Sequence, residues 1–336
     1  MTRTLASWGI GLLLVGLAAG DGRSVRANDI GVVASIKPVH SLVAGVMQGV
    51  GAPALLVKGA SSPHDYSLRP SDARALDGAQ VVLWVGEGLE TFLGKPLAAL
   101  ASDAMIVALS EAAGVELLAT RAGGIWAGHE KADAEAHPEH DEAADQDPAE
   151  HEDDGQAQEH GQLDLHLWLD PRNAEAMVGA IVAMLSAVDP DHAATYQSNG
   201  SDLRAQLRQL DESLSARLQP IGDRPFVVFH DAYQYLENRY GLNAVGAISV
   251  DPRRRPGAQR LQEIRHRLHE LEAACVFFEP QFEPSLVDTV IEGTGASKGM
   301  LDPLGADLDP GADQYFRLMD GLAAALVDCL GTARSG

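Results

Sequence analysis

The 336-residue sequence has little positive charge, few aromatic side chains, only two cysteines and, beyond its N-terminus, no long apolar run. Its 25 lysines and arginines against 48 aspartates and glutamates give a formal net charge of −23. This balance excludes a general nucleic-acid binder, because a polyanion requires clustered positive side chains. No segment after the N-terminus is apolar for long enough to cross a bilayer, so we expect the mature protein to be soluble.

The N-terminus has the three-part layout of a secretory signal peptide. Arg3 supplies a positive charge, residues 10–19 form an apolar core too short for a comfortable membrane span, and Val25-Arg26-Ala27 offers a small-x-small cleavage pattern. An uncleaved anchor is the alternative. No cysteine lies near the cleavage region. We therefore expect residues 1–27 to be removed and the protein to be free in the periplasm, without a lipid anchor.

The two cysteines, Cys275 and Cys329, both lie in the C-terminal third of the chain. In an oxidising compartment such a pair is usually bonded. A bond would join an apolar strand to the last helix, predicted over residues 315–330 from apolar positions on one face. We expect a structural disulfide, with two buried, unpaired thiols as the alternative.

Short apolar runs typical of buried strands alternate with helical patterns twice along the chain. This alternation predicts an α/β protein with two lobes, each a mainly parallel sheet flanked by helices. The predicted strands cover residues 30–36, 54–57, 81–85, 105–109, 226–229, 243–248, 275–278 and 299–301. The predicted helices include residues 38–49, 71–76 and 259–271.

Residues 190–218 are expected to form one long helix between the lobes. The segment has no internal proline, one glycine, and leucines spaced by three, four or seven positions, and Asp189-Pro190 supplies a cap residue with proline at the first helical position. Such a helix is roughly 40 Å long and would serve as a rigid connector, although an ordinary surface helix is the alternative. The predicted divisions are residues 28–188 for the N-terminal lobe, 189–219 for the connector and 220–336 for the C-terminal lobe.

Residues 129–160 differ from the rest of the chain. They contain thirteen acidic residues and one lysine and have no periodic apolar face, so we expect a disordered loop that leaves the first lobe. Mobile imidazoles among carboxylates can collect metal weakly, which makes this loop a candidate secondary metal site; a solubilising linker is the alternative. The histidines of this segment are His129, His137, His140, His151 and His160.

Four residues elsewhere are candidate ligands of one metal ion: His64, His166, His230 and Asp302. Three of the four follow the carboxyl end of a predicted strand, which is the edge where parallel α/β sheets bind ligands. Two lobes that face each other would bring all four together. Three imidazoles and one oxygen suit Zn²⁺, whereas Ca²⁺ and Mg²⁺ prefer oxygen ligands.

These residues also carry a resemblance to a known family. Gly59–Pro70 (GASSPHDYSLRP) resembles the first metal-ligand motif of the zinc-specific solute-binding proteins of bacterial ABC importers, a group within the metal-binding lipoprotein and adhesin-like superfamily. The family's remaining features follow in its order over essentially all of the mature chain. They are the acidic histidine-rich insertion, His166–Leu169, Phe229–Tyr233, Pro256–Arg260, Phe278–Phe282, Leu301–Gly305 and the placement of the two cysteines.

The resemblance implies a monomeric, non-catalytic receptor that binds Zn²⁺ between two lobes and delivers it to the membrane permease of an ABC importer. It implies His64, His166 and His230 as ligands, with water or Asp302 in the fourth position. In manganese-binding relatives an aspartate at the position of Asp302 coordinates the metal together with another carboxylate. At the position of that other carboxylate this sequence has a histidine, His230, and a nitrogen ligand there favours zinc over manganese. The resemblance also implies that the acidic loop binds a second zinc or helps to deliver it.

Two alternative functions remain. One is a manganese-binding receptor or surface adhesin of the same fold. The other is a secreted zinc hydrolase, since three histidines and water also describe catalytic zinc, with Glu279 or Asp231 as a base; no His-Glu-x-x-His pattern supports it. The histidines outside these groups are expected to have packing roles, apart from a weak candidate pair three residues apart on one helix. They are His40, His192 and the pair His266 and His269.

Overall fold

The computed structural model describes residues 30–121, 163–249, 256–283 and 285–332. The expected signal peptide, residues 1–27, and the acidic histidine-rich segment, residues 129–160, lie outside these ranges. In the described part of the chain, no helix has both the length and the apolar character that a membrane crossing requires.

Ten strands and nine helices are described. The strands are β1 (Val32–Ala34), β2 (Ala54–Leu55), β3 (Val81–Trp84), β4 (Met105–Ala108), β5 (Leu118–Ala119), β6 (Leu163–Asp164), β7 (Pro225–His230), β8 (Asn243–Ser249), β9 (Cys275–Phe278) and β10 (Ser297–Met300). The helices are α1 (Lys37–Val46), α2 (Pro70–Asp77), α3 (Gly94–Leu100), α4 (Pro171–Val188), α5 (Ala193–Leu218), α6 (Gln234–Tyr240), α7 (Ala258–Glu270), α8 (Ser285–Ile291) and α9 (Gln314–Thr332). Every strand predicted from the sequence is present, within a few residues of its expected bounds.

Two four-stranded sheets, each wholly parallel, form the two lobes, which confirms the predicted fold class. The first sheet has the order β2-β1-β3-β4 and the second the order β8-β7-β9-β10. Both sheets therefore use the same order, in which the second strand lies on one side of the first and the third and fourth lie on the other. In such sheets the ligand crevice opens at the carboxyl ends of the first and third strands, here β1 with β3 and β7 with β9.

Buried apolar side chains cover both faces of each sheet. One continuous core joins the two lobes through α1, α4, α5 and α9. A second cluster packs α2 and α3 on the outer face of the first sheet, and a third packs α7 and α8 on the outer face of the second. Burial on both faces explains why the strands read in the sequence as continuous apolar runs without alternation.

The expected connector is α5, but its start differs from the prediction. Pro190–His192 form a 3-10 turn, and the α-helix begins at Ala193. Asp189 and Pro190 begin this turn, and the Asp189 carboxylate accepts from the His192 ring (2.7 Å) and from the Tyr196 hydroxyl (2.8 Å). The predicted leucine stripe is buried against the core: Leu203, Leu207, Leu210, Leu214 and Leu218.

Helix α4 was missed by the sequence interpretation, which assigned no element between Asp170 and Asp189. Its signals were present, because Asp170 accepts from the Arg172 backbone N–H (2.8 Å) and Pro171 occupies the first helical position. The helix packs closely on α5. A Cβ added at Gly200 of α5 would lie 2.3 Å from a methyl carbon of Val182, so this crossing requires glycine.

Two kinds of contact fasten the second lobe. The predicted disulfide is confirmed, since Cys275 of β9 is bonded to Cys329 of α9. The other contact crosses between lobes: Lys37, 4 % exposed at the start of α1, donates from Nζ to three carbonyl oxygens in the loop after β10. These belong to Gly305 (2.8 Å), Ala306 (2.6 Å) and Leu308 (3.0 Å). A buried ammonium group needs such partners, so the loop is held firmly to the first lobe.

Candidate metal site

Three histidine rings meet where the two lobes face each other. The Nε2 atom of His166 lies 3.3 Å from Nε2 of His64 and 3.3 Å from Nε2 of His230. One ring nitrogen from each residue lies within 4.8 Å of the others, and this is the one group of three or more potential metal-ligating side chains found among the described residues. The structure thus brings together three of the four residues selected from the sequence.

His64 comes from the loop between β2 and α2. Its backbone N–H donates to the Ser62 hydroxyl (3.2 Å), which fixes the turn before it. Two residues later, the buried Tyr66 hydroxyl bonds the Leu56 carbonyl oxygen (3.1 Å) and the Asp72 carboxylate (2.9 Å). The loop is therefore attached both to the end of its strand and to the start of its helix. His64 is the more exposed of the three rings, since the other two are buried.

His166 follows the short antiparallel pair β5 and β6. Its Nδ1 lies 2.8 Å from Oδ1 of Asp164, and the same oxygen accepts from the His166 backbone N–H (3.0 Å). The Tyr235 hydroxyl of α6 donates to the Asp164 carbonyl oxygen (2.6 Å) and accepts from the Leu118 N–H (3.0 Å). The second lobe therefore holds both strands of the pair, and with them the position of the His166 ring.

His230 is the last residue of β7 and is 4 % exposed. Glu279, the first residue after β9, accepts at Oε1 from His230 Nδ1 (2.7 Å) and from the His230 backbone N–H (3.3 Å). Burial alone would disfavour the charged imidazole, but the Glu279 carboxylate outweighs burial and raises the pKa of His230 above its ordinary value. The ring stands between the first and third strands of its sheet.

The hydrogen bonds at Nδ1 decide what the Nε2 atoms can do. A carboxylate accepts only, so His166 and His230 each direct an Nδ1–H toward one, which leaves Nε2 as the nitrogen with a lone pair in the neutral form of each ring. Two lone pairs that face each other at 3.3 Å cannot form a hydrogen bond. They can share a cation, and carboxylates behind the imidazoles are the usual arrangement around protein-bound zinc.

The spacing of the nitrogens suits a tetrahedral metal ion such as zinc. With Zn–N bonds of about 2.0–2.1 Å, the edges of a tetrahedron around zinc are about 3.3–3.4 Å long. The two Nε2 separations of 3.3 Å agree with such an edge. The residues present therefore fit a tetrahedral ion with three nitrogen ligands and one further position.

Asp302 is not brought into this group. It follows β10, and its Oδ1 accepts from Gln281 Nε2 (2.8 Å) and from the Leu304 backbone N–H (3.0 Å). Its Oδ2 accepts from the Ala306 backbone N–H. Sequence reasoning placed Asp302 at the correct end of its strand, but the carboxylate is engaged by its own loop and by Gln281.

The remaining histidines have the packing roles expected of them. His40 Nε2 lies 3.1 Å from the Pro53 carbonyl oxygen, and His192 pairs with Asp189. His266 pairs with Glu270 on the exposed face of α7, and no metal-ligating group forms there among the described residues. The five histidines of the acidic segment, and with them the predicted secondary site, lie outside the described residues: His129, His137, His140, His151 and His160.

Sequence reasoning missed the carboxylates that orient the rings. Asp164 could have been found, because an aspartate two residues before a candidate ligand can reach both its ring and its backbone N–H. Glu279 lies 49 residues from His230 in the chain, so only the adjacency of β7 and β9 identifies it.

The arrangement of the whole molecule is shared with solved structures. The periplasmic zinc binding protein TroA from Treponema pallidum matches with a TM-score of 0.69 at 21% identity, over 90% of this chain and 99% of that one. The solute-binding protein FpvC of Pseudomonas aeruginosa, solved in complex with Mn²⁺, matches with a TM-score of 0.72 at 21% identity, over 91% and 100%. Fold and site together define the class, which is the two-lobed metal receptor with a connecting helix.

Sequence comparisons narrow the class to one family. The model of the periplasmic zinc-uptake complex component A matches residues 32–329. The high-affinity zinc uptake system protein ZnuA of Brucella abortus is 46% identical over 326 residues, 94% of this chain and 96% of that protein. The protein of the same name from Paracoccus denitrificans is 38% identical over 309 residues, 91% and 93%. The chain belongs to this family of zinc-uptake components, whose members are solute-binding proteins and not enzymes.

Proposed function

We propose that this chain captures Zn²⁺ in the cleft between its lobes and delivers it to the permease of an ABC-type importer. His64, His166 and His230 hold the ion through Nε2, and a water molecule fills the fourth position. The observation that carries the proposal is the pair of opposed Nε2 lone pairs, 3.3 Å apart, on two rings whose Nδ1 atoms are committed to carboxylates. Asp302 is not a ligand in this proposal, and its carboxylate is hydrogen-bonded to Gln281 beside the site.

Zinc is preferred over manganese in this proposal because the donors are imidazole nitrogens. Imidazole suits zinc, whereas carboxylate, carbonyl and water oxygens suit manganese. In the described part of the chain, each carboxylate next to the site is engaged by another group: Asp164 by His166, Glu279 by His230, and Asp302 by Gln281. The names of the curated relatives, which describe zinc uptake, support the same choice.

The finer features of the proposal follow from the sequence. Residues 1–27 direct export and are removed, so the receptor works as a free monomer in the periplasm. Residues 28–188 and 220–336 form the two metal-binding lobes, with residues 189–219 as the rigid connector. Residues 129–160 collect zinc weakly near the cleft through the five histidines named above. Closure of the lobes buries the ion, and docking on the permease opens them.

Calorimetric titration of the metal-free protein with Zn²⁺ tests the ligand set. We expect His64→Ala, His166→Ala and His230→Ala each to abolish high-affinity binding, because three nitrogens are needed to enclose the ion. His266→Ala is the matched control, since that exposed ring lies on α7, outside the group of three. High-affinity binding that survives His64→Ala and His230→Ala would show that the proposed site is wrong.

The alternative of a zinc hydrolase finds no support in the site. Its two candidate bases are engaged, Glu279 by His230 and Asp231 by Arg121. A Gly-x-Ser-x-Gly pattern does occur at residues 295–299, but Ser297 is the first residue of β10 and does not lie in the strand-to-helix turn that a nucleophile requires. Turnover of an ester or peptide by the zinc-loaded protein, lost in the histidine variants, would restore this alternative.

A further inference from the structure

Gln281, three residues after β9, lines the same pocket as the three histidines. Its Nε2 donates to Oδ1 of Asp302 at 2.8 Å. An ionised carboxylate accepts hydrogen bonds and donates none, so this contact fixes which branch of the amide is nitrogen. The carbonyl oxygen, Oε1, is therefore the branch that points away from Asp302.

This Oε1 atom is buried and accepts no hydrogen bond from the described residues. A buried acceptor without a donor is costly, so this oxygen calls for a donor from outside the described residues. Water bound to a divalent cation is such a donor, because the ion polarises both of its O–H bonds. A three-histidine site has one position left for this water.

The same amide also restrains Asp302. The Asp302 carboxylate receives three donors: the side chain of Gln281, which lines the histidine pocket, and the backbone N–H groups of Leu304 and Ala306. A free carboxylate beside the ion would add an oxygen ligand, and oxygen ligands favour manganese. A neutral amide at this place gives the bound water an acceptor and adds no charge.

We propose that Gln281 is a positioning residue that sets the preference for zinc. Its Oε1 accepts a hydrogen bond from the water in the fourth coordination position, and its Nε2 keeps the Asp302 carboxylate out of contact with the ion. This inference rests on the proposed function and deepens it, since it adds to the preference given by the three imidazoles the contribution of one side chain that is not itself a ligand.

Two substitutions distinguish the role of the amide oxygen of Gln281 from the role of its amide nitrogen. Gln281→Met keeps the approximate volume but removes both polar atoms, and Gln281→Glu keeps an acceptor, removes the donor to Asp302 and adds a negative charge. Gln206→Glu, on the exposed face of α5, is the control for the added charge. Zn²⁺ and Mn²⁺ affinities are measured by competition with a chelator, and the visible absorption spectrum of the Co²⁺-loaded protein reports the set of coordinating atoms.

For Gln281→Met we expect zinc affinity to fall about tenfold, in the range seen when partners of metal-bound groups are removed. For Gln281→Glu we expect the ratio of zinc to manganese affinity to fall at least about tenfold, because a carboxylate joins the site, together with a changed Co²⁺ spectrum. Gln206→Glu should match the unsubstituted protein. If both Gln281 variants keep both affinities and the spectrum while the histidine variants lose zinc, the inference fails and the proposed function stands. If the histidine variants bind zinc normally, the proposed function itself fails.

Discussion

Replacing Glu279 with glutamine tests how the protein prepares His230 for zinc. Glu279 is 1 % exposed, and one of its oxygens accepts from both the ring and the backbone N–H of His230. In Glu279→Gln the carbonyl oxygen can still accept, but a charge-assisted bond becomes a neutral one. Bonds to charged groups contribute about 1.5–3 kcal/mol and neutral ones about 0.5–1.5 kcal/mol. The difference is about 1–1.5 kcal/mol, so we expect zinc affinity to fall about tenfold at pH 8.

The control is Glu90→Gln. Glu90 is as buried as Glu279 and accepts from the backbone N–H groups of Val85 and Gly86 at the ends of the first sheet, yet it contacts no histidine. Chelator competition at pH 8 should show zinc affinity unchanged within about twofold for this variant. Equal losses in both variants, or no loss in Glu279→Gln, would refute the idea that Glu279 acts through His230.

The pH dependence supplies a second check on the same variant. Glu279 raises the pKa of His230, so a proton competes with zinc from a higher pH in the unsubstituted protein than in Glu279→Gln. As the pH falls from 8 towards 5, the unsubstituted protein should therefore lose affinity sooner. The difference between the two proteins should narrow, and a difference that widens would contradict the assigned cause.

Three further predictions concern stability. Burial raises the pKa of Glu90 to about 7 against hydrogen bonds that lower it, so the folded state binds this proton more tightly than the unfolded state does. The free energy of unfolding should therefore fall by up to about 3 kcal/mol as the pH rises from 4.5 through 7. Denaturant titrations of Glu90→Gln should lack this slope. Arg121 bonds both Asp231 and Glu237, so Arg121→Ala leaves two largely buried carboxylates without their cation. This substitution should lower the free energy of unfolding by about 3–5 kcal/mol. A loss under about 1 kcal/mol in a urea titration would contradict this. Reducing the disulfide, which spans 54 residues, should lower the free energy of unfolding by about 4 kcal/mol, and an unchanged midpoint with dithiothreitol would refute it.

The strands and three of the proposed ligands could be predicted because their signals are local. A strand buried on both faces is a short apolar run, and a histidine at the end of such a run, as at His230, stands out from the residues around it. The position of His64 was inferred from the rule that ligands collect at one edge of a parallel sheet. That of His166 was inferred from its place after the acidic segment and from two lobes that face each other. The paired cysteines needed only an oxidising compartment to be expected as a disulfide.

The contacts that tune the site could not be predicted because they join distant parts of the chain. Lys37 bonds Gly305 across 268 positions, and Gln281 bonds Asp302 across 21. Neither pair has a periodicity or spacing that a single sequence reveals, since the first arises only when the two lobes meet and the second only when β9 and β10 become neighbours. Asp302 illustrates the consequence, because its residue type and position suggest a ligand, while its hydrogen bonds join it to Gln281 and to its own loop.

The two sheets together explain why the second lobe supplies a proposed ligand from the last residue of a strand, whereas the first lobe supplies His64 from a loop. Each sheet repeats the same strand order, and each places a buried carboxylate between the ends of its first and third strands. In the first sheet Glu90 takes that place and accepts from Ser35 and from backbone N–H groups, which leaves no ring to present to the cleft. In the second sheet Glu279 takes it and accepts from His230, whose opposite nitrogen then faces the cleft. The repeated topology thus provides a buried carboxyl group twice, and a histidine lies beside only one of them, where the carboxyl group can support a proposed metal ligand.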